Sequence, residues 1–209
     1  MPTVADILID GLCRAGVQRI FGVPGGGSNL ELLEAARAAL PDDFPLLLAG
    51  GIASRADVCV ALEAGACAAV AGTRFLLADE SRAHPGYRER LLAASETLLT
   101  ELFGLGWPAP HRVVANAATE RHLGRDPRGP LARRALNRLS GGVSVRVPPA
   151  LQARLARAQR PASLLLSPTP PTDDGPASLV DAGPLYAGET VARIRDLRPA
   201  AELVGALTP

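Results

Sequence analysis

Apolar residues at Val4, Ile7, Leu8 and Leu12 recur at the spacing of one helix face, and Gly16 stands where such a helix would end. The pattern predicts an amphipathic helix over residues 3–15. A short apolar run over 17–23 reads as a strand and leads into Gly22-Val23-Pro24-Gly25-Gly26-Gly27. Ser28, with Glu31 three residues on, then forms the reciprocal capping pattern that opens a helix over 28–40. A glycine loop at that place leaves backbone N–H groups free to hold an anion. A plain tight turn between strand and helix explains it equally well.

Pro41-Asp42-Asp43-Phe44-Pro45 interrupts the pattern, and we place a junction there. Residues 46–49 are wholly apolar and read as a buried strand with Gly50-Gly51 as its exit turn. Ser54 and Asp57 cap a helix that runs through Ala64 and stops at Gly65. Residues 67–71 form the next strand, ending in Gly72-Thr73, and 87–102 read as one long helix. Two βα units thus stand in series. Residues 163–178 are rich in proline, serine and threonine and predict an extended surface crossing, followed by short helices over 190–195 and 200–207 around Pro199.

With 47% apolar residues and 22 basic against 21 acidic side chains, the chain reads as globular, not disordered or polybasic. Its 209 residues are few for a complete (β/α)₈ barrel of about 250. Every basic residue is arginine, which excludes a Schiff-base lysine, a pyridoxal-phosphate anchor and the lysine of a Walker A loop. Residues 112–160 hold eleven arginines and only Glu120 and Asp126 as acids. Without interleaved aromatics we read this run as a solvated helical face and expect no nucleic-acid partner.

Cys13, Cys59 and Cys67 contain no CxxC pair and are expected to be reduced, buried and structural. His84, His111 and His122 lack zinc-ligand spacing, so no metal site is assigned. Asp6 and Asp10 stand where a signal peptide carries positive charge, and no apolar stretch is long enough to cross a bilayer. A cytoplasmic protein without membrane contact is expected.

Parallel strands joined by a right-handed crossover lie close together, so the turns Gly50-Gly51 and Gly72-Thr73 should face the same side of the sheet. Backbone N–H groups converging there bind a phosphate without lysine. The spacing by itself is compatible with any phosphorylated ligand.

Ala49-Gly50-Gly51-Ile52, then Val70-Ala71-Gly72-Thr73-Arg74-Phe75-Leu76, Glu80-Ser81 and His84-Pro85-Gly86-Tyr87 resemble the carboxyl half of nitronate monooxygenases, flavin-dependent (β/α)₈ barrels. Leu185-Tyr186-Ala187-Gly188-Glu189 is similar to that family's terminal signature, so the resemblance covers 45–209 with gaps. It implies that the two glycine turns hold the phosphate of FMN. Carried over residue by residue, this assigns Gly51, Ala71, Gly72 and Thr73 beside the Gly50 of the turn. Val70 stands where many members carry glutamine. The implied chemistry is oxidation of an alkyl nitronate by FMN and oxygen, with a histidine as base when the neutral nitroalkane is the substrate. No histidine precedes His84, so no catalytic residue is named.

Residues 1–40, with Ile20-Phe21-Gly22-Val23-Pro24-Gly25-Gly26-Gly27-Ser28-Asn29-Leu30, resemble instead the first segment of thiamine-diphosphate enzymes of the acetolactate synthase type. Those enzymes need a glutamate further along the same domain. The chain changes character before any candidate for that role appears, and thiamine diphosphate is not expected to bind. The expected fold is α/β: partial TIM-barrel-like parallel βα units with additional helices and no closed eight-stranded barrel. Three functional readings stand together: an FMN-dependent nitronate monooxygenase, a non-catalytic fused remnant with weak flavin binding at most, and a thiamine-enzyme fragment. Open strand edges predict self-association.

Overall fold

The computed structural model describes residues 4–14, 28–124, 126–144 and 146–209. In chain order the elements are α1 (Val4–Arg14), α2 (Ser28–Ala39), β1 (Leu47–Ala49), α3 (Arg55–Glu63), β2 (Ala68–Val70), α4 (Gly72–Leu76), α5 (Pro85–Ala93), β3 (Leu98–Thr100) and β4 (His111–Val114). They continue with α6 (Ala117–His122), α7 (Leu131–Ser144), α8 (Pro149–Ala158), α9 (Leu179–Ala182), β5 (Leu185–Tyr186), a 3-10 turn (Glu189–Arg193) and α10 (Ala200–Leu207). The strand expected over 17–23, Gly16 and the glycine loop over 22–27 lie outside the described residues. The chain divides into two compact units, one of Met1–Asp79 with Gly188–Pro209 and one of Glu80–Ala187.

In the first unit β1 and β2 pair in parallel, Leu47 opposite Ala68 and Ala49 opposite Val70, with α3 as the crossover between them. The helix begins where the sequence placed it. Ser54 is the N-cap, its hydroxyl accepts from the Asp57 N–H, and the Asp57 carboxylate accepts from the Ser54 N–H at 2.8 Å. It ends before Gly65, whose φ of +94° is a left-handed conformation that glycine adopts without a Cβ clash. Ile9 packs with Ala35 and Ala36, and Leu33 with Ile52, Ala61 and Ala66; Leu46 lies against both groups. Arg37 on α2 donates to the carbonyls of Pro41 and Phe44, folding the 41–45 connection back onto its own helix.

Several expectations change. Strands β1 and β2 are not buried on both faces: Leu47 is 62% exposed and Val70 46%. Among the described residues they form a two-stranded sheet, β1 paired with β2. Gly72-Thr73 is not a free turn but the start of the five-residue α4. Cys13 and Cys67 are exposed and Cys59 half-buried; all three are free thiols, but they are not core residues.

The second unit departs further. The helix expected over 87–102 ends at Ala93; Ala94 is already extended at φ −75° and ψ 138°, and Leu98–Thr100 is a strand. A helical apolar spacing runs through this stretch, yet β-branched Thr97 and Thr100 fit a pleated surface, and pairing with β4 satisfies the main chain. β3, β4 and β5 make an antiparallel sheet, with Leu98 opposite Val113 and Val114 opposite Leu185. Leu102, Phe103, Val113, Ala118 and Leu166 form its core. The 163–178 crossing has no helix, and Thr172 bridges Ala83 in an isolated antiparallel pair.

The arginine run is only partly a solvated face. Arg121, Arg128, Arg154 and Arg160 are exposed, whereas Arg133 is buried and Arg134 nearly so. Buried Glu101 meets Arg134 at 3.2 Å and Arg138 at 3.9 Å, while Arg133 lies against the Ser163 carbonyl at 3.4 Å and His122 Nδ1 at 3.2 Å. No described helix is long and apolar enough to cross a membrane. The molecule is an α/β protein with parallel βα units and many helices, and its described strands close no barrel.

Candidate functional site

Register decides which of the sequence-selected residues meet. With Ala49 opposite Val70, the next residues along the two parallel strands, Gly50 and Ala71, leave the sheet side by side at its carboxyl end. Gly50 and Gly51 have φ of +91° and +79°, a conformation that L side chains rarely adopt. At Gly51 and Gly72 a Cβ would meet no atom within 4 Å, so the main chain on both sides borders open space. Gly50, Gly51, Ala71, Gly72 and Thr73 are therefore all brought to one end of the β1–β2 pair.

Thr73 is buried, and its Oγ1 accepts the Gly188 N–H at 2.8 Å. A Cβ on Gly188 would come to 3.4 Å of that oxygen, an ordinary contact distance. Thr73 therefore anchors the segment that follows β5, with its hydroxyl proton left over for a further acceptor.

Arg193, which sequence reasoning missed, and the capping Asp57 together lock the first turn. Arg193 donates through Nη2 to the Gly51 carbonyl at 2.8 Å and through Nη1 to Asp57 Oδ1 at 2.9 Å. Asp57 Oδ2 in turn accepts from the N–H groups of Ala53 and Ser54 and from the Ser54 hydroxyl. Burial pushes the Asp57 carboxyl up, but the bond from Arg193 and those from Ala53 and Ser54 outweigh it and hold the group below its ordinary 3.8. Asp57 thus remains a carboxylate and fixes both the helix start and the arginine that clamps the glycine turn. The only sequence signal for Arg193 is its place four residues beyond Glu189, in the segment of the terminal signature.

The histidines are engaged elsewhere. His84 caps α5, its Nδ1 accepting the Gly86 N–H at 3.0 Å. His111 lies within 6.0 Å of Phe103, Trp107 and Tyr186, ring centre to ring centre. Its Nδ1 is 2.9 Å from the Ala109 carbonyl and its Nε2 accepts from the Phe103 N–H, which fits the neutral ring protonated at Nδ1. His122 reaches the Pro161 carbonyl through Nε2 and faces Arg133 through Nδ1. Burial pushes both His111 and His122 below 6.5, and Arg133 adds to the effect at His122. No group of three metal-ligating side chains occurs among the described residues.

The family model for nitronate monooxygenase matches residues 4–209. The chain belongs to the nitronate monooxygenase family. Among members, the nitronate monooxygenase of Paraburkholderia phytofirmans is 42% identical over 130 residues, which is 61% of this chain and 34% of that protein. Nitronate monooxygenase npaC of Metarhizium robertsii is 35% identical over 90 residues, covering 38% of this chain and 25% of the relative. These matches therefore span about a third or less of the curated relatives' length. Nitroalkane oxidase from Streptomyces ansochromogenes superposes with a TM-score of 0.56 at 28% identity, over 86% of this chain and 42% of that one. FabK from Thermotoga maritima superposes at 0.54 and 21% identity, over 98% and 58% respectively, and shares the fold. The family match takes in α1 and α2 as well as the glycine turns.

Proposed function

We propose that this nitronate monooxygenase family chain holds the phosphate of FMN in the cradle formed by Gly50, Gly51, Ala71, Gly72 and Thr73, and serves the oxidation of alkyl nitronates. The observation that carries the reading is the pair of open glycine positions, Gly51 and Gly72, on adjacent parallel strands within the segments that resemble the family's phosphate-binding turns. A dianion suits such a place because N–H dipoles stabilise it without a lysine, and this chain has none.

FMN, when bound, supplies the redox chemistry with oxygen as the oxidant. The protein's own part is positioning. Arg193 and Asp57 hold the Gly51 turn in its left-handed conformation, and Thr73 ties the second turn to Gly188. A nitronate is already ionised and needs no base, and with His84, His111 and His122 all engaged in structural bonds the nitronate is the favoured substrate over the neutral nitroalkane. Residues 45–209 contain the whole cradle, and we keep the junction at 41–45 as the boundary between this part and the leading segment. Thiamine diphosphate has no role in this reading.

The same engagement of the histidines favours a second reading, a flavin-binding chain without turnover. Oxygen consumption with an alkyl nitronate separates the two once binding is established.

The test is a fluorescence titration of FMN and riboflavin, which share the ring and differ by the phosphate. FMN should bind more tightly to the wild type. Gly72→Asp places a carboxylate at the cradle and should abolish the preference through like-charge repulsion. Equal affinities in the wild type, or an undiminished preference in the variant, would refute the cradle.

A further inference from the structure

One segment of the first unit ties both glycine turns. Gly188 donates its N–H to Thr73 Oγ1 at 2.8 Å, beside the second turn, and Arg193, at the far end of the 3-10 turn Glu189–Arg193, reaches the Gly51 carbonyl of the first. Between these anchors Thr190 and Val191 are buried, and the Val191 N–H donates to the Gly188 carbonyl at 3.1 Å. Past Arg193 the segment stays fastened along α4 and its exit: Arg74 Nη1 donates to Asp196 Oδ1 at 2.7 Å, and Arg198 bridges Ala78 in a parallel pair. Arg193 therefore reaches the first turn from a segment fixed to the second.

That reach sets the direction of a peptide plane. No cis peptide bond occurs among the described residues, and in a planar trans peptide the C=O of one residue and the N–H of the next point in opposite directions. With the Gly51 carbonyl turned to Arg193 Nη2 at 2.8 Å, the Ile52 N–H points away from the guanidinium. The two N–H groups that follow are taken, since those of Ala53 and Ser54 donate to Asp57 Oδ2. The Ile52 N–H has no acceptor among the described residues. A main-chain donor without an internal partner is open to a ligand oxyanion. Both terminal nitrogens of Arg193 are engaged in holding the turn, Nη2 on Gly51 and Nη1 on Asp57.

We propose that Arg193 is a positioning residue of the phosphate cradle, a role that rests on the flavin-phosphate reading: by holding the Gly51 carbonyl it turns the Ile52 N–H toward the phosphate, a donor beyond the five cradle residues.

Two measurements on the full chain test this. With its five isoleucines labelled at the amide nitrogen, FMN should move the Ile52 amide proton downfield, as a new bond to an oxyanion does, and riboflavin should leave it in place. In fluorescence titrations Arg193→Met should bind FMN about tenfold more weakly, the scale of one charge-assisted hydrogen bond, and riboflavin as tightly as the wild type does. The Arg193 side chain is 52% exposed, so its loss should leave the fold intact. A wild-type Ile52 amide that FMN does not shift, or an undiminished FMN preference in Arg193→Met, overturns the role while the cradle stands. Equal weakening of both flavins marks a merely structural arginine and overturns it too. Arg193→Lys keeps the charge without the planar fork; an FMN preference regained there without the Ile52 shift would make charge the cause and overturn the positioning role. Equal wild-type affinities for FMN and riboflavin refute the cradle itself, and this role with it.

Discussion

Asp57 carries more of the first unit's local order than its position near the surface suggests. One carboxylate satisfies the N–H groups of Ala53 and Ser54, the hydroxyl of Ser54 and the guanidinium of Arg193. Loss of such a cap costs about 1 kcal/mol, while the exposed ion pair adds little beyond it. Because the folded carboxyl titrates below its unfolded value, its contribution is present above the ordinary 3.8 and fades as pH falls through the folded value. Asp57→Asn should therefore lower urea stability by about 1 kcal/mol at neutral pH and by less once the pH has fallen below the carboxyl's ordinary 3.8. A cost that stays the same at both pH values would show that the charge is irrelevant.

At the scale of elements, the antiparallel sheet of the second unit is built around a ring that must stay neutral. β4 begins at His111, whose Nε2 accepts from the Phe103 N–H while its Nδ1 faces the Ala109 carbonyl. Protonating Nε2 would set a donor against a donor inside the aromatic cluster. Burial holds His111 below 6.5, and His122 on α6 shifts the same way, so the unfolded chain binds these protons more readily than the folded one. Their stabilisation is complete above about pH 6.5 and is lost as pH falls through the folded values. The melting temperature followed by circular dichroism should fall between about pH 7.5 and 5, and His111→Gln, which keeps a donor and an acceptor, should flatten that fall. An unchanged slope in the variant would assign the acid sensitivity elsewhere. Tyr87, on the neighbouring α5, adds a further buried tie, its hydroxyl donating to the Tyr186 carbonyl of β5.

For the whole molecule, the two-stranded pair β1–β2 is the exposed element. Leu47 and Val70 are exposed apolar residues on a sheet of only two strands among the described residues. Free edges with apolar side chains pair with other chains. Light scattering after size exclusion should find species larger than the 21.6 kDa monomer, and Val70→Lys should shift them toward it. A monodisperse monomer of the wild type would show that these edges are protected.

What the sequence by itself determined is local. The capping box at Ser54 and Asp57, the stop at Gly65, the two short strands and the glycines that follow them are each written in a few adjacent residues. Their physical causes, a side chain reaching its own helix's N–H groups or a backbone needing positive φ, act over that same range. The tertiary structure decided the rest. Residues 98–100 became a strand because β4 offers them a partner, and the intrinsic spacing of 87–102 could not register that. Arg193 reaches Gly51 and Asp57, and Arg74 reaches Asp196, across more than a hundred residues. The inward turn of Arg134 depends on a buried Glu101, and that of Arg133 on His122 and the Ser163 carbonyl, partners that composition does not locate. Periodicity reports which face of an element is apolar; which charged group meets which, and whether a glycine turn borders open space, follows only when distant segments pack.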